Sequence, residues 1–139
     1  ISTLFMLCAL EKNATLFSID PYQKIQWNKF GLINVNNLLK ELNLPKTMHK
    51  LIEDYSNIFF NKTKELFDLV LIDGDHSYNG TMIDLYGSNK ILKKNGIMII
   101  DDVLHYDVKK ALNNFLKKNK NYKKINTTLV TMNFYIKTK

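Results

Sequence analysis

The chain contains no arginine: all twenty of its basic residues are lysine. Arginine supplies the planar fork of donors suited to phosphates and base edges, so the formal charge of +7 argues poorly for a nucleic-acid groove. Lysine and asparagine are spread throughout. The densest run, Lys117-Lys118-Asn119-Lys120-Asn121-Tyr122-Lys123-Lys124, falls at an expected helix end, where cations offset the macrodipole. A single cysteine, Cys8, excludes an intrachain disulfide and makes a reducing, cytoplasmic setting the expectation. No run approaches the roughly 18 apolar residues of a membrane span. The apolar stretch from Ile1 to Leu10 is short and has no basic flank, so it reads as a buried helix with Cys8 a small core residue rather than as a signal peptide. Repeats and interdomain linkers are also missing. A chain of 139 residues is then one domain, 1–139, with a real core, although short for a complete doubly wound fold.

What is present is concentrated in one stretch, Phe67-Asp68-Leu69-Val70-Leu71-Ile72-Asp73-Gly74-Asp75-His76-Ser77-Tyr78. Its first half is a β-branched apolar run, expected as a strand buried on both faces and hence central and parallel. Its second half places Asp73, Asp75 and His76 where that strand ends, which is where open α/β sheets bind ligands. The competing reading makes Asp73 a helix cap and His76 a solvated loop residue. A second strand follows. Asn95-Gly96 turn the chain, Ile97-Met98-Ile99-Ile100 are wholly apolar, and Asp101-Asp102 end the run, with His105 shortly after. If the two strands are neighbours about 5 Å apart, Asp73, Asp101 and Asp102 converge. Such a cluster suggests a hard divalent cation, Mg²⁺ most simply. Two ordinary helix caps would explain only one carboxylate at each strand end.

These two motifs, Leu71-Ile72-Asp73-Gly74-Asp75-His76-Ser77-Tyr78 and Lys94-Asn95-Gly96-Ile97-Met98-Ile99-Ile100-Asp101-Asp102-Val103, resemble the class I S-adenosylmethionine-dependent methyltransferases. The nearest subgroup ends its fourth strand in Asp-Gly-Asp-His and its fifth in Asp-Asp. The resemblance implies an α/β, Rossmann-like sheet, mostly parallel, closed by a C-terminal antiparallel hairpin. It also implies S-adenosylmethionine as cofactor and methyl transfer to a hydroxyl of a small molecule or sugar.

Taken in order, residues 1–12 read as a helix that begins abruptly. Ala14 to Asp20 reads as a strand stopped by Pro21. In dinucleotide-type sites an acidic residue about 20 positions beyond a glycine-rich loop receives the ribose hydroxyls, which would make Asp20 a cofactor ligand. Counting back from Asp20 puts that loop at or before residue 1. The resemblance therefore implies that the family's first strand and glycine loop lie upstream, leaving this sheet N-terminally truncated. The segment from Pro21 to Trp27 could roof the site, or Trp27 could simply pack against the sheet. A helix is expected from about Asn34 to Leu42, ended by Pro45. Met48 to Asp54 gives a third strand with His49 solvated, and Ser56 caps a helix running towards Leu66. Residues 80–93 read as a helix weakened by Gly87. Asp107 is the expected N-cap of a helix from Val108 to Leu116, and Ile125–Val130 pairs with Asn133–Thr138 as a hairpin turned at Thr131-Met132.

Methyl transfer from a sulfonium needs positioning and, for a hydroxyl acceptor, removal of a proton. By resemblance Asp73, Asp101 and Asp102 are metal candidates, Asp75 the base, and Asp20 and Asp73 the cofactor-binding residues. His76 stands where the metal-dependent relatives have other residues, so His76 as base without a metal stays open beside the Mg²⁺ reading. His105 is a weaker candidate. The alternatives are a metal-dependent hydrolase or phosphoesterase, whose sites also combine Asp and His, and a non-catalytic remnant that binds no cofactor. The expected partner is a small-molecule acceptor, with neither nucleic acid nor membrane.

Overall fold

The structure, a computed structural model, describes residues 2–11, 13–23 and 28–139. Trp27, and with it the end of the proposed roof, lies outside the described residues. The chain divides into two compact units, residues 1–59 and 60–139.

The first unit contains helix α1 (Ser2–Ala9), strand β1 (Leu16–Ile19), helix α2 (Phe30–Glu41), a short 3₁₀ turn, strand β2 (His49–Ile52) and the start of helix α3 (Ser56–Lys62). Leu7, Val35, Leu39 and Met48 form its core. Helical geometry puts adjacent residues about 100° apart, so the face that buries Leu7 turns Cys8 outward. Cys8 is accordingly exposed, not the core residue expected. Strands β1 and β2 pair in parallel from Leu16 with His49 to Ile19 with Ile52. The ladder continues one step to Asp20, whose amide donates to the Ile52 carbonyl at 3.0 Å. His49 is half-buried rather than solvated. Its Nε2 lies 3.0 Å from Ser18 Oγ, and burial holds the imidazole pKa below its ordinary value. Helix α2 starts at Phe30, earlier than expected, after Lys29 in the left-handed region.

The second unit holds strand β3 (Phe67–Ile72), helix α4 (Tyr78–Ile91), strand β4 (Leu92–Ile100), helix α5 (Tyr106–Lys118) and strands β5 (Tyr122–Ile125) and β6 (Asn133–Lys137). The sheet order is β3-β4-β6-β5, with β3 parallel to β4 and β6 antiparallel to both β4 and β5. The core gathers Leu85 from α4, Val108, Ala111, Leu112 and Phe115 from α5, and Met98 and Ile100 from β4. Alternation explains the choice: Met98 and Ile100 are buried while Ile97 and Ile99 on the opposite face are only partly so.

Several boundaries differ from expectation. Asn95-Gly96 do not end a turn before the strand but sit inside β4, where the pairing with β3 is irregular and Asn95 has φ 63°. Strand β3 is not central among the described residues; it is the sheet edge, and Leu69 is 38% exposed there. The closing pair is antiparallel as expected, yet β5 runs through Tyr122–Ile125 and residues 126–132 form the connection. Lysines in Tyr122–Ile125 therefore belong to an edge strand, where they discourage further pairing. Asp107 lies in the first turn of α5 and His105 takes the cap position without a side-chain bond.

Gly87 has a packing reason, because a Cβ there would overlap the ring of Phe60. Gly87→Ala should gain about 1 kcal/mol of helix propensity. Overpacking against a buried ring typically costs 1 to 3 kcal/mol, roughly cancelling or exceeding that gain. Net destabilisation in urea unfolding is therefore expected. His49 gives a pH signature. Its folded-state pKa lies below the ordinary imidazole value, so its contribution is intact above that ordinary value and is lost as pH falls through the lowered folded one. Hydrogen exchange of β1 and β2 amides, at fixed intrinsic exchange rate, should accelerate over that window, and His49→Gln should remove the dependence.

Candidate functional site

The parallel pairing of β3 with β4 aligns Ile72 with Ile100, so the residues that follow each strand leave the sheet side by side. The Asp101 amide donates to the Ile72 carbonyl at 3.0 Å, carrying the ladder one step past the strands. Asp101 then turns inward on its own chain: its Oδ1 accepts from the Asp102 amide at 2.8 Å. Asp102 is left-handed, with φ 50°, a conformation uncommon for a residue with a Cβ and characteristic of constrained loops. That turn brings Asp102 Oδ2 to 3.2 Å from His76 Nε2. The two atoms are in contact without hydrogen-bond alignment, and His76 Nε2 is shielded from solvent with no hydrogen bond.

Asp73, His76 and Asp102 each place one donor atom within 4.8 Å of the others. Asp101 is outside this group; its Oδ1 is engaged by the adjacent amide. The expected convergence therefore takes place with His76 in the position assigned to Asp101. The ring of His105 lies 6.0 Å from that of His76, centre to centre. Both imidazoles thus stand at the same strand ends.

Asp75 has a different task. Its Oδ1 accepts from the Ser77 amide and its Oδ2 from the Ser77 hydroxyl, both at 2.9 Å. Those bonds, the backbone one first, hold the Asp75 carboxyl below its ordinary pKa. Ser77 in turn caps α4, its Oγ accepting from the Gly80 amide at 3.1 Å. The helix cap is therefore Ser77, not Asp73. Gly80 leaves the room that Asp75 fills, since a Cβ there would lie 2.7 Å from Asp75 Cβ. Buried Thr81 completes the loop by donating to the Asp75 carbonyl at 3.3 Å. The sequence reading misses Ser77 as the cap, although a serine immediately before a helical stretch is a recognisable cap signal.

Asp20 sits in the first unit at the end of β1. Its oxygens accept from the Tyr22 amide at 2.8 Å and from Gln23 Nε2 at 2.6 Å. Tyr22 and Tyr55, which follow β1 and β2, meet edge to face with their hydroxyls 3.2 Å apart.

Ser77→Ala removes both the cap acceptor and one donor to Asp75. It should cost about 1 kcal/mol of stability. The Asp75 pKa should move up towards its ordinary value while remaining below it, because the backbone donor stays, and carboxyl carbon chemical shifts through an acid titration would show it.

Comparison with known proteins places these features. Residues 1–103 match the profile of a family described as a methyltransferase domain. No curated protein sequence matches the chain. Among solved structures, a Corynebacterium glutamicum protein is similar with TM-score 0.78 and 14% identity, covering 99% of this chain and 67% of that one. A Streptococcus mutans methyltransferase solved in complex with SAH gives TM-score 0.67 and 16% identity, covering 98% of this chain and 81% of that one. CalS11, a TDP-rhamnose 3′-O-methyltransferase of calicheamicin biosynthesis, gives TM-score 0.70 and 10% identity over 97% of this chain and 64% of its own. Proteins described as rRNA methylases share the fold as well. No helix among the described residues is long and apolar enough to cross a membrane. The Rossmann-like strand order of the second unit, its acidic strand ends and the matched profile agree: the chain belongs to the class I S-adenosylmethionine-dependent methyltransferase family.

Proposed function

We propose that this domain transfers the methyl group of S-adenosylmethionine to a hydroxyl of a small molecule, a sugar included, with His76 as general base. The observation that carries the reading is the 3.2 Å approach of His76 Nε2 to Asp102 Oδ2 at the ends of two neighbouring parallel strands. In the reaction the hydroxyl oxygen attacks the methyl carbon in line. The carbon–sulfur bond breaks, its electron pair stays on sulfur, and the hydroxyl proton must leave. Asp102 holds a proton on His76 Nε2, which leaves the Nδ1 lone pair to accept that proton and stabilises the resulting imidazolium. Loose alignment of the pair without substrate is usual for catalytic contacts, which tighten on binding. His76 suits this better than Asp75, whose oxygens are both engaged by Ser77 and whose carboxyl is a weakened base. By the family resemblance Asp20 is assigned to the cofactor's ribose hydroxyls, and Asp73 is the second cofactor-binding residue.

A metal-assisted variant is favoured by a separate observation, the three donors of Asp73, His76 and Asp102. Two carboxylate oxygens and a shielded imidazole nitrogen without a hydrogen bond fit a divalent cation, and a nitrogen ligand suits Mn²⁺ better than Mg²⁺. Asp101, with its second oxygen, is the reserve ligand. Such an ion would supply a lowered pKa for the acceptor hydroxyl.

Two readouts separate the variants. Calorimetry should show S-adenosylhomocysteine binding to the protein and to His76→Gln alike. With an accepting alcohol, His76→Gln should lower kcat by roughly 10² to 10⁴ fold. EDTA should leave the rate of the unsubstituted protein unchanged. A rate lost in EDTA and restored by Mn²⁺ would make His76 a ligand instead, and unchanged turnover in His76→Gln would remove it from the reaction.

A further inference from the structure

We propose that Leu104, Tyr106, Leu129 and Val130 form an apolar shelf beside His76 that selects a hydroxylated acceptor carrying a flat apolar ring over a wholly polar sugar. This rests on the hydroxyl-methylation reading and narrows its substrate class. All four residues belong to the second unit. Leu104 and Tyr106 flank His105, Leu104 in the loop after β4 and Tyr106 as the first residue of α5, and Leu129 and Val130 lie in the connection from β5 to β6. The Val103 amide donates to the Thr131 carbonyl at 3.0 Å, fastening these two segments together immediately after Asp102. Buried Val103 anchors the junction from below.

The four side chains are 64%, 72%, 53% and 73% exposed in the order Leu104, Tyr106, Leu129, Val130. Single exposed apolar residues are ordinary, but a group of them at the rim of a polar site marks a binding surface. The group adjoins the candidate base, because the His105 ring between Leu104 and Tyr106 is 6.0 Å from the His76 ring. Its aromatic member is also held. Lys110 Nζ lies 5.7 Å from the centre of the Tyr106 ring and 5.5 Å from that of Tyr78, whose hydroxyl accepts from Asn114 Nδ2 at 3.1 Å. A ring fixed from one side by a cation can present its other side to a ligand at little entropic cost.

Size decides the occupant. Four side chains offer a few hundred Å² at most, whereas a stable protein interface takes roughly 800 Å² from each partner. A small ring system matches that area. Sugars, which need several hydrogen-bond partners, would find none on these four side chains except the Tyr106 hydroxyl.

The test is a nuclear magnetic resonance titration of the protein with 2-naphthol and, separately, with methyl α-D-glucopyranoside. It requires no methyl transfer. 2-Naphthol should shift amides at 103–106 and 129–131 together with the His76 ring, and the glucoside should leave them in place. The double variant Leu104→Ser/Val130→Ser should bind 2-naphthol about tenfold more weakly with its S-adenosylhomocysteine affinity unchanged, while Leu104→Met should retain binding. Glucoside shifts equal to those of 2-naphthol, 2-naphthol shifts confined to other residues, or equal binding by the double variant would each overturn the shelf. So would concentration-dependent dimerisation abolished by that double variant, which would make the surface an interface between copies. Loss of S-adenosylhomocysteine binding in the unsubstituted protein would instead overturn the methyltransferase reading, leaving the naphthol result to stand or fall separately.

Discussion

The parallel pairing of β3 with β4 is the interaction on which the second unit's site depends. A parallel ladder has evenly spaced bonds and one register that buries the right faces, since a slip of one residue would exchange Met98 and Ile100 for Ile97 and Ile99 in the core. That register is carried past the strands by the Asp101 amide on the Ile72 carbonyl. Once it is set, Asp73 and Asp101 must leave the sheet together. The left-handed Asp102 then redirects the second strand's loop so that Asp102, rather than Asp101, faces His76.

Three ionisable residues in four positions after β3 meet three different fates. Asp73 remains at the strand end and Asp75 bends back onto Ser77, where it organises the first turn of α4. His76 is left with its Nε2 shielded against Asp102. The division of labour follows from reach. A short carboxylate two residues before a serine closes an Asx turn readily, whereas the longer imidazole can cross to the neighbouring loop. Exposure of the site makes the Coulomb attraction between His76 and Asp102 modest, so orientation by the two loops matters more than the pair's own strength.

The far end of α4 is held by the closing strands. Lys137 of β6 donates to the carbonyls of Asn89 and Leu92, both at 2.8 Å, supplying a cation and donors where the helix leaves carbonyls unpaired. The Tyr122 hydroxyl donates to Asn89 Oδ1 at 2.8 Å, and burial pushes its pKa up to about 12. Phe115 packs edge to face with the ring of Tyr86 and tilted against that of Tyr122. The helix that begins at the site is thus tied at its other end to the antiparallel pair. By contrast the exposed Asp68–Lys93 pair, at 2.9 Å, adds little.

What the sequence shows of this arrangement, and what it conceals, divides along physical lines. Apolar runs ending in aspartate marked β3 and β4 and their loops, because burial and strand ends leave a strong pattern. The closing antiparallel pair was legible as a class but not in its limits: Ile125-Asn126-Thr127-Thr128-Leu129-Val130 has strand propensity, yet the strand forms upstream over Tyr122–Ile125, where Tyr122 gains burial against Phe115 and a bond to Asn89. Propensity was overridden by packing. The exchange of Asp101 for His76 was hidden for a different reason, since it turns on one backbone dihedral at Asp102 that no spacing encodes. The same displacement leaves Leu129 and Val130 in a loop, free of the sheet and exposed beside the strand ends. An apolar pair expected to stabilise a strand is thereby available to a ligand, and the sequence preference that misplaced β5 is the one that gives the neighbourhood of His76 its apolar character.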